Sequence, residues 1–230
     1  MEIKQLHANA GNYGPARNAQ AIKYIVIHYT GNDGDTAENN ARYYASTVVK
    51  SSAHYFVDAN SIYQSVPDLH TAWAVGGRKY PSCPQTGGGT LYNICRNTNS
   101  ISIELCDAKR DGKVMATAKT IANAADLTAM LCEKYNIPVD HIIRHYDVTG
   151  KLCPKYWVDD PEGIKKFREM VKERIEMVSK CKMIVDGKPV EVERILKNGT
   201  NYVKIRDVAG ALGLSVSNQG NVPVLMTKKG

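Results

Sequence analysis

Tyr24-Ile25-Val26-Ile27, followed at once by His28-Tyr29-Thr30-Gly31-Asn32, sets an apolar, β-branched run against a polar, turn-forming exit. The run has the length and composition of a buried strand. His28 closes it, where a side chain can face a cleft while its strand stays rigid. Residues 1–20, before the strand, read as an irregular lead-in rich in Asn, Gly and Pro.

Downstream, residues 36–44 predict a helix with Asp35 or Thr36 as its N-cap. Two strands follow, 54–57 and 61–66, joined by the turn-forming Asp58-Ala59-Asn60. Residues 76–99 carry Gly76-Gly77, Pro81, Pro84 and Gly87-Gly88-Gly89 and read as one long loop, a kind of segment that in a compact domain is usually functional or disordered. Ser100-Ile101-Ser102-Ile103-Glu104-Leu105 alternates as a strand, with Ser102 and Glu104 on the face opposite the isoleucines. Residues 117–135 predict a packed helix ending before Pro138, and His141-Ile142-Ile143 a brief strand leading to His145. A charged amphipathic helix is expected over 161–180. Beyond it the character changes: Met183-Ile184-Val185 and Pro189-Val190-Glu191-Val192 flank the hairpin signal Asp186-Gly187, and a short helix is expected over 205–212, ended by Gly213. We therefore expect one domain over 1–178 and a small one over 182–230.

Hydrophobic residues make up 43% of the chain, enough to build a core and exclude a disordered polymer. No run approaches the roughly 20 apolar residues that cross a bilayer, so membrane insertion is not expected. The net charge of +7 favours anionic partners such as an acidic cell wall, or simply solubility. No dense Arg/Lys block with interleaved aromatics is present, so nucleic acid is not the expected partner. The six cysteines form no CxxC pair. Most are expected to be free, small, buried side chains, with Cys153 the exception.

Two elements could carry chemistry together. His28 alone reads as readily as a structural histidine, and Cys153 alone as a buried thiol. The segment His145-Tyr-Asp-Val-Thr-Gly-Lys151-Leu-Cys153-Pro154, however, supplies an imidazole, an ammonium and a thiol within nine residues. A zinc site that does chemistry keeps three protein ligands and one open position, a count that His28, His145 and Cys153 meet. Zinc chemistry also calls for a carboxylate to take a proton and a cation to hold an oxyanion. Glu104 and Lys151 are the candidates, although either could be an ordinary solvated residue.

These residues resemble the zinc-dependent N-acetylmuramoyl-L-alanine amidase family, which includes phage endolysins and is related to the peptidoglycan recognition proteins. Six blocks carry the resemblance in order over about residues 20–178: 25–31, 52–58, 62–67, 71–73, 99–104 and 145–154. The resemblance implies an α/β fold, with a central mixed β-sheet flanked by helices and zinc in a surface groove. It implies His28, His145 and Cys153 as zinc ligands, Glu104 as the catalytic carboxylate and Lys151 as the stabiliser of the oxyanion. Two departures stand out. Ala53 occupies a position where some members carry a helper Tyr, so His54, Tyr55 or Glu104 must supply that role, and we assign it to Glu104. Ala74 follows Trp73 where relatives often have a His shortly after the Trp; the two readings of His70 are a compensating residue and a surface residue. His54, His70 and Trp73 are taken as substrate-binding, with Trp73 as a groove wall.

Residues 185–190 and 199–213 resemble, more weakly, the small repeat at the N-terminus of copper amine oxidases and in secreted wall proteins. The segment has no His, so no copper is implied; wall binding or oligomerisation is the expectation. The amidase resemblance over about residues 20–178 implies hydrolysis of the amide between N-acetylmuramic acid and L-alanine, with bacterial peptidoglycan as partner. The N-terminus MEIKQLHANAGNYG lacks a basic-then-apolar export pattern, so the expected route is synthesis in the bacterial cytoplasm and action on the wall after release, as for a phage or prophage lysin. The alternative is a recognition module that binds peptidoglycan without cutting it. Such relatives typically lose a zinc ligand, often the Cys, whereas Cys153 is present. A cytoplasmic amidase that recycles wall fragments fits the extra C-terminal segment poorly.

Overall fold

A computed structural model describes residues 2–110, 112–177, 179–197 and 200–227. The chain divides into two compact units, Met1–Lys172 and Glu173–Gly230.

The first unit contains β1 (Ile3–Gln5), β2 (Tyr13–Ala16), β3 (Tyr24–Tyr29), α1 (Ala37–Ser46), β4 (Tyr55–Val57), β5 (Ile62–Gln64), β6 (His70–Ala72) and the short α2 (Cys83–Thr86). It continues with β7 (Ser100–Leu105), β8 (Asp107–Arg110), β9 (Lys113–Ala116), α3 (Ala118–Tyr135), β10 (Ile142–Arg144), α4 (His145–Thr149), α5 (Lys155–Asp159) and α6 (Glu162–Ile175), the last of which runs past the division. Among the described residues the main sheet has six strands in the order β1-β5-β4-β7-β3-β10. Every neighbouring pair is parallel except β4 and β5, so the sheet is mixed. The fold is thus the α/β arrangement with a central mixed sheet.

The run at Tyr24 forms β3, between β7 and β10. Ile25 pairs with Ile101 and Ile142, and Ile27 with Ile103. All five isoleucines are fully buried, as expected for parallel strands covered on both faces. Helix α3 packs on β4 and β7 and buries Ala124, Ala125, Leu127 and Leu131. Thr117 caps its first turn, accepting from Thr120 N at 3.0 Å, and Asn136 ends it in the left-handed region. Helix α1 lays Ala37 and Ala41 against Phe56 and Tyr63. Its N-cap is Thr36, and the buried Asp58 carboxylate accepts from Ala37 N at 2.8 Å.

Two expectations need correction. The lead-in is not wholly irregular: β1 adds to the sheet edge beside β5, and β2 pairs with β6. These strands of three and four residues lack a periodic signal and exist through their partners. The helix expected over 161–180 stops at Ile175, and Ser179–Val185 is instead a strand, β11. Pairing of β11 across the Asp186-Gly187 turn wins over helical propensity there.

In the second unit, β11, β12 (Lys188–Lys197) and β13 (Thr200–Val203) form an antiparallel sheet. Helix α7 (Ile205–Ala211) and the hairpin β14 (Leu214–Gln219) and β15 (Val222–Thr227) follow. Asp186 and Gly187 both have positive φ, 49° and 75°, as a two-residue hairpin turn with the strand twist requires. Val178, at the expected boundary, and Gly199, in the C-terminal motif, lie outside the described residues.

Candidate active site

In parallel sheets, ligands gather beyond the carboxyl ends of the strands. Three candidate residues sit there: His28 near the end of β3, Glu104 near the end of β7, and His145 directly after β10. Register makes His28 and Glu104 partners across β3 and β7, so their side chains leave the same face. Glu104 Oε1 lies 3.9 Å from His28 Nδ1.

His145 opens α4, and its placement is braced by its neighbours. The Asp147 carboxylate accepts from Arg144 N at 2.8 Å, from Arg144 Nε at 3.1 Å and from Arg144 Nη2 at 2.6 Å. Arg144 Nη1 also reaches the Trp157 carbonyl at 2.8 Å. Helix α4 ends at Gly150, whose φ of 84° turns the chain back toward Lys151 and Cys153. The Tyr146 N–H donates to the Cys153 carbonyl at 3.1 Å, closing that loop.

His28 Nδ1 stands 3.1 Å from His145 Nδ1 and 3.8 Å from Cys153 Sγ. Donor atoms from all three residues lie within 4.8 Å of one another, and all three residues are buried. Tetrahedral zinc with ordinary bond lengths separates two nitrogen ligands by roughly 3.3 Å and a nitrogen and a sulfur by roughly 3.6 Å. The donor set therefore fits a zinc-sized cation. The hydrogen bonding points the same way. At most one proton can bridge the two Nδ1 atoms, and His28 Nε2 and Glu104 Oε2 are buried without a partner.

Electrostatics suit ligation by neutral imidazoles. Burial, and then the charges of His145 and Lys151, hold His28 well below the usual histidine range. Burial followed by Lys151 lowers His145 to about 3. Burial raises the Cys153 thiol, with Glu104 adding to the rise. Burial also pushes Glu104 up to about 8, against Lys151, which lowers it. A bound cation would relieve the last two costs by favouring thiolate and carboxylate.

A groove of about 790 Å³ opens on this cluster, lined by His145, Lys151, Trp73, Asn97 and residues from Gly76 to Pro81. Lys151 is exposed there, within reach of a ligand in the groove. Of the three residues expected to bind substrate, only Trp73 lines the groove. His54 is fully buried in the core: Ser102 N donates to its Nδ1 at 3.0 Å, and its Nε2 lies 3.1 Å from the His70 carbonyl. The Arg17 guanidinium packs against the same Nε2 at 2.9 Å. With both nitrogens engaged and the ring enclosed, His54 has no route to a substrate or to a proton in the groove. His70 sits on β6 and packs edge-on against Tyr13, away from the groove lining. Sequence reasoning passed over Asp147 and Asn97. The Arg144-x-x-Asp147 spacing was a readable i,i+3 ion-pair signal. Asn97, whose Oδ1 accepts from Ala74 N and Val75 N, sits in a loop with no pattern to single it out.

A profile of the N-acetylmuramoyl-L-alanine amidase family matches residues 18–156. The chain belongs to that family. It is 33% identical over 201 residues to the N-acetylmuramoyl-L-alanine amidase CwlL of Bacillus licheniformis, covering 84% of this chain and 53% of CwlL. It is 33% identical over 165 residues to the amidase BlyA of Bacillus subtilis, covering 70% of this chain and 44% of BlyA. The chain thus spans about half the length of the curated relatives it matches. The solved structure of PlyL superposes with a TM-score of 0.60 at 29% identity, covering 76% of this chain and 99% of PlyL. The matched stretch spans His28, Glu104, His145, Lys151 and Cys153.

Proposed function

We propose that this chain hydrolyses the amide between N-acetylmuramic acid and L-alanine in bacterial peptidoglycan, with zinc held by His28, His145 and Cys153. The observation that carries the reading is the convergence of those three donor sets beside Glu104 at the head of an open groove. When bound, zinc supplies a Lewis acid that polarises a carbonyl and makes water more acidic. Glu104 takes the proton from the attacking water and hands it to the departing L-alanine nitrogen. The Lys151 ammonium offsets negative charge on the carbonyl oxygen as the carbon becomes tetrahedral. Trp73 offers an apolar wall for sugar or peptide. Asp147, through Arg144, holds His145 in place and acts as a positioning residue. Purified protein supplied with zinc should release new L-alanine amino groups from peptidoglycan; no release would end this reading.

The domain over 1–178 is the catalytic part in this proposal. The segment 182–230, by its resemblance to a repeat of secreted wall proteins, serves wall binding or oligomerisation. Delivery as a phage or prophage lysin agrees with relatives that are wall amidases. No helix among the described residues is long and apolar enough to cross a membrane.

A further inference from the structure

The groove carries four cationic side chains, Lys50, Arg78, Lys79 and Lys151, and no carboxylate among its lining residues. Some cations elsewhere in the first unit sit on carboxylates: Lys134 on Asp68 at 2.8 Å, Arg144 on Asp147 at 2.6 Å, and Lys155 on Asp159 at 2.8 Å. Among the described residues, no carboxylate pairs with any of the four groove cations. Unpaired charges of one sign on a concave surface focus the potential and concentrate counter-ions there.

The backbone at Lys50 and the side-chain stem of Lys79 are held in place by their surroundings. Lys50 has a φ of 59°, in the left-handed region that residues with a Cβ rarely adopt. The fully buried Asn12 enforces that conformation. Its Oδ1 accepts from Val49 N at 2.7 Å and Lys50 N at 3.1 Å, and its Nδ2 donates to the carbonyls of Tyr44 at 2.8 Å and Thr47 at 2.7 Å. All four hydrogen-bonding positions of the carboxamide are used to turn the chain at Lys50. Such over-determined strain clusters at ligand clamps. Lys79 lays its stem on Gly89, where a Cβ would come within 2.6 Å of Lys79 Cε. The stem thus rests on bare backbone while the residue stays exposed. Arg78 is carried by the segment that Asn97 anchors through Ala74 and Val75.

We propose that Lys50, Arg78 and Lys79 form a carboxylate-binding subsite, which gives the groove a preference for acidic peptide stems over stems whose carboxylates are amidated. Lys151 is set apart because the amidase reading assigns it to the reacting carbonyl. The inference rests on the amidase reading, since that reading places a peptide in this groove.

The test is calorimetric binding of two N-acetylmuramoyl peptides, one with free carboxylates and one amidated, to the full zinc-loaded chain carrying Glu104→Gln to block turnover. At low salt the free acid should bind about tenfold tighter, the sum of three exposed charge contacts. The preference should shrink as salt shortens the screening length. Adding Lys50→Gln, Arg78→Gln and Lys79→Gln should bring the two peptides to equal affinity. Equal binding before those changes, or an undiminished preference after them, overturns the subsite. Parallel cleavage assays with the unmodified protein separate the two ideas. Cleavage of both peptides without a binding preference leaves the amidase and removes the subsite, whereas a binding preference without any cleavage keeps the subsite and removes the amidase.

Discussion

His28 and Glu104 are register partners on adjacent parallel strands, and their side chains meet at 3.9 Å. The six paired positions from Tyr24 and Ser100 to Tyr29 and Leu105 fix that relation through backbone hydrogen bonds. The proposed metal ligand and the carboxylate that would move a proton beside it are therefore set by backbone pairing within the sheet. Sites built on strands hold their geometry better than sites built on loops.

Glu104→Gln keeps the shape of the side chain and removes its capacity to accept a proton. Zinc stoichiometry should be unchanged while release of L-alanine amino groups falls by about 10²- to 10⁴-fold. Metal analysis and the amine assay on the same sample decide it. Near-normal turnover would move proton transfer to another group.

Cys153→Ser should cost the protein its metal. A ligand that binds only the folded state stabilises it by about 4 kcal/mol when present at a thousand times its Kd. A chelator should therefore lower the melting temperature of the unmodified protein and leave that of Cys153→Ser unmoved. An equal chelator response in both proteins would remove Cys153 from the ligand set.

Much of this was legible in the sequence because it is local. The run from Tyr24 to Ile27, the alternation around Glu104, the Thr36 cap and the Asp186-Gly187 turn each carry their own signal within a few residues. The edge strands β1 and β2 do not, since they gain structure only from β5 and β6. His54 misled for the same reason. Its neighbours look like a strand beside a site, but its burial is set by Arg17 and Ser102, far away in sequence. Lys50 and Asn12 are likewise separated by 38 positions and joined only by the fold.

The enclosure of His54 gives a pH signature to the metal-free protein. Burial and then Arg17 hold its pKa to about 3, against the ordinary 6.5. Between those values the unfolded chain takes up a proton that the folded chain refuses. The contribution is full above the unfolded value and is lost as pH falls toward the folded one, with a slope of about 1.4 kcal/mol per pH unit. His28 and His145 act in the same direction. His54→Asn keeps an acceptor for Ser102 N but cannot be protonated. Urea unfolding at about pH 7.5 and about pH 5 should show a shallower loss of stability in the variant. An unchanged pH dependence would show that His54 titrates normally.

Gly150→Ala tests whether the turn after α4 sets the metal site. A Cβ there would lie 2.2 Å from Cys83 Sγ and 3.3 Å from Tyr80 Cβ, on a residue with φ of 84°. The left-handed conformation alone costs roughly 1–2 kcal/mol for a residue with a side chain. The collision adds to it, because Cys83 is buried and its thiol points to the Thr149 carbonyl at 3.5 Å. Relief by backbone movement would shift Lys151 and Cys153 relative to His145. Zinc affinity should then weaken by about ten- to hundredfold, the range seen when supports behind metal ligands are lost. Adding Cys83→Ala removes the collision but not the backbone strain, so the double variant should recover part of both stability and zinc affinity. The coupling between the two changes, read from a double-mutant cycle, isolates the steric part. Zinc affinity at the unmodified level in Gly150→Ala would show that the turn can relax without disturbing the ligands.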